Sequence, residues 1–62
     1  MYSKFEKLLE ERQLTAYRVS VETGIASSTF AAWKAGQYKP KAEKLMVLAK
    51  YFDVPLDYFY EE

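Results

Sequence analysis

The segment Ala16 to Gly36, AYRVSVETGIASSTFAAWKAG, constrains the fold more than any other stretch of the chain. It reads as two short helices joined by a tight turn at Gly24-Ile25. Apolar Val19, Ile25, Phe30 and Trp33 recur where one shared interior would need them, and small Ser20 stands between the helices. Two helices that cross steeply need a short turn and a small residue at the crossing. Gly24 suits the left-handed position after a helix, which a β-carbon disfavours.

The flanking residues supply the rest of an all-α bundle. A first helix is predicted from about residue 3 to 13, with Phe5, Leu8 and Leu9 on one face and Lys4, Lys7, Glu10 and Glu11 on the other. Ser3 and Glu6 have the spacing of a capping box. Thr15 is the expected N-cap of a second helix over 16–23. A third helix runs over 27–35 and stops before Gly36, with Ser27 as the better capping residue because Ala26 is a poor one. Gln37 to Pro40 make a polar loop. Leu45, Leu48, Ala49 and Phe52 mark a fourth helix over 41–52, and a short fifth over 56–60 follows Pro55, with Leu56 and Phe59 on the core. No period-2 run rich in β-branched residues suggests a strand. The reading is one domain, residues 1–62, of five helices.

Sixty-two residues lie near the lower limit for independent folding, but half are hydrophobic and eleven are aromatic, ample for one core. The chain has no cysteine and no histidine, so it offers no disulfide, no thiolate metal site and no imidazole for acid–base work. No metal or other cofactor and no small-molecule ligand are expected, and an enzyme is the remote reading. Glu10-Glu11 and Glu61-Glu62 are adjacent pairs that point in different directions on a helix, so they read as solubility charges. No apolar run approaches the roughly 20 residues of a membrane span, and a cytoplasmic location is expected.

The net charge is zero, which is unusual for a nucleic-acid binder until the charges are placed. Residues 15–44 carry a net +3 and residues 45–62 a net −3. The local field decides which face meets a phosphate backbone. With Val19, Ile25, Phe30 and Trp33 inward, the third helix turns Ser27, Ser28, Ala31 and Ala32 outward. A lone helix fits the major groove, where each base pair shows a distinct pattern of donors, acceptors and methyls. Ser27 and Ser28 can exchange hydrogen bonds with base edges, and Ala31 and Ala32 can pack on thymine methyls. Phosphate contacts are expected from the amides near Ala16 and from Tyr17, Arg18, Lys34, Gln37, Tyr38 and Lys39.

At this point the chain resembles the helix-turn-helix domain of phage lambda repressor and Cro, the XRE family. The carrying residues are LTAYRVSVETGIASSTF, then WKAGQYKP, then EKLMVLAKYFDVPLDYF. The resemblance implies five helices, a dimer on a pseudo-palindromic operator, and transcriptional repression or autoregulation. It places base contacts at Ser27, Ser28, Ala31 and Ala32, and phosphate contacts in the Ala16 region and the Gln37–Lys39 loop. Two positions depart from the family. Ala16 stands where many members have a glutamine, and Ala31 and Ala32 where polar residues are common.

Each feature also has a plainer reading. Trp33 is expected at the seam of helices three and four rather than exposed. Tyr17 and Tyr38 either touch phosphates or cover apolar surface. Lys34, Lys39 and Lys41 either line the DNA face or are simply solvated. The aromatic tail holds Tyr58 and Tyr60, which cannot easily both be buried beside Phe59; an exposed pair suggests a dimer contact. The alternative function is a protein-interaction module (antitoxin, anti-repressor or adaptor) on the same fold, favoured by zero net charge and the alanine-rich third helix.

Overall fold

The computed structural model describes residues 1–60. It contains α1 (Tyr2–Arg12), α2 (Ala16–Thr23), α3 (Ser27–Lys34), α4 (Ala42–Phe52) and a terminal 3₁₀ helix (Leu56–Tyr60). No strand occurs among the described residues. The all-α expectation holds, with one change. The fifth helix is 3₁₀, opened by the Tyr58 amide bonding the Pro55 carbonyl at 3.0 Å. Five residues are too few to repay α-helix nucleation, and the tighter turn is the usual short form.

The core is Phe5 and Leu8 of α1, Val19 of α2, Ile25 of the turn, Phe30 and Trp33 of α3, Leu45, Leu48, Ala49 and Phe52 of α4, and Phe59. Phe5 sits at its centre. Its ring lies 4.9 Å from Phe30 at 9° and 5.3 Å from Trp33 at 28°, with Phe52 edge-on at 6.0 Å. Tyr2 closes the cluster with its ring 5.2 Å from Trp33. Trp33 is therefore buried, and its ring partners are Tyr2 and Phe5 of α1, which the sequence reading did not anticipate. The α1 aromatics are the large flat surfaces available to stack on it.

Three helices finish in one geometry. Gln13, Gly36 and Asp53 all have positive φ, at 55°, 79° and 58°. The following amide reaches back each time: Leu14 to the Leu9 carbonyl, Gln37 to Ala32, and Val54 to Ala49, at 2.9 to 3.0 Å. This bond satisfies a carbonyl that has no partner inside the helix. Glycine was expected to mark helix ends, yet two of these three ends use Gln13 and Asp53. Arg12 adds a tertiary cap. Its Nη2 donates to the Phe52 carbonyl at 2.6 Å, and its guanidinium lies 5.7 Å from the Phe52 ring centre.

The helix starts differ from the sequence reading in three places, the simplest being α4, which begins at Ala42 with Lys41 as its N-cap. Helix α1 begins at Tyr2 with Met1 as N-cap and no side-chain cap bond, so the Ser3–Glu6 capping box does not form. Ser3 already lies inside the helix, where its hydroxyl cannot serve as an N-cap. Likewise Ala26 is the N-cap of α3, and Ser27 is its first helical residue. Thr15 does cap α2, its Oγ1 accepting from the Arg18 amide at 3.1 Å.

Candidate nucleic-acid interface

The turn between α2 and α3 orients the candidate surface. Gly24 adopts φ 80°, and its amide donates to the Ser20 carbonyl at 2.9 Å. Thr23 reinforces the turn: its hydroxyl donates to the Val19 carbonyl at 2.7 Å and accepts from the Ile25 amide at 3.3 Å. Ile25 then plugs into the core immediately after the turn. Thr23 was not singled out in the sequence, because a threonine near a helix end has many equivalent uses.

Phe30 and Trp33 anchor the inner side of α3. At 3.6 residues per turn, Ser27, Ser28 and Ala31 fall on the outer side, and all three are exposed. Ala32 lies at the edge of that face and is half-buried. The ridge is narrow, with two hydroxyls at its start and methyl groups behind them. The Ala26 cap lends no side-chain oxygen, so the first amides of α3 also remain available to an outside acceptor.

The flanking groups divide. Thr15 occupies the Arg18 amide, and the Ala16 and Tyr17 amides open the helix at its positive end. Ala16 is half-buried, whereas the Tyr17 ring is 71 % exposed. Lys34, Gln37 and Lys39 are exposed, while Tyr38 is half-buried against the core. Tyr38 thus covers apolar surface with its ring.

Arg18 is not a free cation. Its Nε donates to Glu22 one turn later, and the Tyr51 hydroxyl donates to the other Glu22 oxygen at 2.6 Å. The Tyr51 bond, followed by the Arg18 bond, holds the Glu22 carboxyl below its ordinary pKa. The same Glu22 contact raises Arg18 and Tyr51. Among the described residues Arg18–Glu22 is the one ion pair, and it lies within α2; the Tyr51 hydrogen bond is what ties α2 to α4. No described bond uses the two terminal nitrogens of Arg18, which keep their donors. Glu22 and Tyr51 were missed in the sequence. They are 29 residues apart, and only the packing of α4 on α2 brings them together.

In the tail, the expected exposed pair is split. Tyr58 is half-buried, with its ring edge-on to Phe59 at 5.7 Å and Lys4 Nζ 5.1 Å from its centre. Tyr60 alone is open, at 52 % exposure. Glu61 and Glu62 lie outside the described residues. Among the described residues there is no cluster of potential metal ligands and no helix long and apolar enough to cross a membrane.

A tight turn that wedges two helices apart and leaves the second one standing on the surface defines a helix-turn-helix domain. The sequence profile of the helix-turn-helix domain family matches residues 2–62, and the chain belongs to that family. It is 33% identical over 55 residues to the uncharacterized HTH-type transcriptional regulator YobD of Bacillus subtilis (strain 168), an overlap covering 89% of this chain and 49% of that protein. It is 35% identical over 54 residues to the cryptic phage CTXphi transcriptional repressor RstR of Vibrio cholerae, covering 87% of this chain and 49% of that protein. The chain spans about half the length of these curated relatives. No solved structure gives a significant match. The family resemblance drawn from the sequence is borne out.

Proposed function

We propose that this chain binds double-stranded DNA sequence-specifically as a transcriptional regulator, a repressor, with α3 in the major groove. One observation carries the reading. The Ser27, Ser28 and Ala31 face is exposed on a helix whose opposite side is locked by Phe30 and Trp33. The names of YobD and RstR support it. In this reading Ser27 and Ser28 contact base edges, and Ala31 and Ala32 contact thymine methyls. The α2 amides at Ala16, with Tyr17, Arg18, Lys34, Gln37, Tyr38 and Lys39, contact phosphates. Residues 1–62 act as one domain, in the cytoplasm, and two copies bind a pseudo-palindromic operator, with Tyr58 and Tyr60 as the tail's candidate contacts.

The test is a mobility-shift titration with DNA from beside the gene, at several salt concentrations. Ser28→Glu and Lys39→Glu place a carboxylate against the duplex and abolish the shift. For Lys39→Ala, the salt slope falls by about one phosphate equivalent. Binding that ignores both glutamates refutes the proposed face.

A protein-interaction module is the second reading. Tyr17 and Val21 favour it: they lie one turn apart on α2 and are 71 % and 62 % exposed. Salt-insensitive binding to a protein, with no DNA binding at low salt, would establish that role instead.

A further inference from the structure

The outer face of α4 is complementary to itself. Leu45, Leu48, Ala49 and Phe52 bury one side of this helix. At 3.6 residues per turn, Glu43, Met46, Val47 and Lys50 share the opposite side, and all four are exposed. Met46 and Val47 are 49 % and 41 % exposed, so they form an apolar centre without a cover. Glu43 stands three residues before Met46, and Lys50 three residues after Val47.

That order reads the same in both directions with charge reversed. Lay a second α4 antiparallel on the first, with a two-fold axis between positions 46 and 47. Met46 then meets the partner's Val47, and Glu43 meets the partner's Lys50. Symmetry repeats both contacts. Within one chain Glu43 and Lys50 are separated by about 10 Å of helix rise, and neither belongs to an ion pair among the described residues. Beside Met46, a shallow groove of about 280 Å³ runs past Ala49, Val54 and Leu56, with the charged Lys50 and Asp53 also on its wall.

We infer that a second copy of this chain docks on the α4 face, burying Met46 and Val47 between two Glu43–Lys50 ion pairs. This rests on the dimeric reading of the proposed function and moves its centre from the tail to α4. An isologous interface must be complementary to itself, a condition that a face evolved for a different partner need not meet. The contact is small. Helix α4 has 11 residues, about 16 Å of length and about 10 Å of width, well below the roughly 800 Å² per partner of a standard stable interface. The free dimer is therefore weak, and two adjacent half-sites on DNA supply the local concentration that completes it.

Sedimentation equilibrium on the full chain, up to about 1 mM, tests this with Glu43→Lys, Lys50→Glu, the Glu43→Lys/Lys50→Glu double variant, and Tyr60→Ser. Each single reversal turns two attractions into two repulsions and raises the dimer Kd roughly tenfold. The double variant restores the original pairing with the signs exchanged, and Kd returns to within about threefold of the parent. All four changes are on the surface, and circular dichroism checks that each variant remains folded. Binding of a short random-sequence duplex at low salt stays unchanged in the two-charge swap, which separates this inference from the DNA-binding reading. A chain monomeric throughout, single reversals without effect, a double variant that fails to recover, or loss of the dimer in Tyr60→Ser alone would overturn it.

Discussion

Phe5 is not among the residues expected at DNA, yet its ring stacks on those that hold α3 in place. Its side chain is fully buried and its ring stacks on both Phe30 and Trp33, the two residues that anchor the inner side of α3. Phe5→Ala removes the ring and leaves a cavity bordered by other rigid rings, which cannot collapse freely. Such truncations cost about 3–5 kcal/mol. A chain of 62 residues has a total stability of about 3–9 kcal/mol by the usual per-residue range. The substitution therefore removes between about a third and all of it, and it unfolds the chain at room temperature if the parent's stability lies in the lower half of that range. Phe5→Leu keeps much of the volume but loses the ring pairs, and costs about 1–2 kcal/mol. Urea unfolding followed by circular dichroism measures both, and DNA binding should fall in step with the folded fraction. A loss below about 1 kcal/mol for Phe5→Ala, with an unchanged denaturant slope, would show that this ring does not hold the bundle together.

Two further predictions concern the helix ends and the surface network. Gln13→Gly relieves a left-handed residue with φ 55° and raises stability by about 0.5–1 kcal/mol. Asp53→Gly gains less, because aspartate tolerates that conformation better; thermal melts that reverse this order would refute the account. Glu22 has a depressed pKa in the folded chain, caused first by Tyr51 and then by Arg18. A depressed folded value means that the contribution is present above the unfolded pKa and is lost as pH falls through the folded one. Tyr51→Phe removes the leading cause, so its melting temperature lies below the parent's at neutral pH and the gap closes in acid. A gap that stays constant down to about pH 3 would show that the bond to the carboxylate is not what Tyr51 contributes.

Much of the candidate surface was legible because it depends on local periodicity. Phe30 and Trp33 are three residues apart on one short helix, so whatever they bury against, Ser27, Ser28 and Ala31 must face the other way. Thr15 and Gly24 were legible for a similar reason: each acts on amides or backbone angles within its own turn. The errors at Ser3 and Ser27 are local as well. Several residues near each helix start could serve as caps, and packing chose the register.

Sequence pattern alone determined the all-helical class, the tight turn and the side of α3 left for a partner, since these follow from spacing within a few residues. Tertiary structure decided that Trp33 packs on α1, that Arg12 caps α4, and that Glu22 is shared between Arg18 and Tyr51. It also decided that Tyr58 folds back while Tyr60 stays out. Each of these joins groups distant along the chain, and periodicity says which side a residue takes without saying which distant neighbour will meet it there.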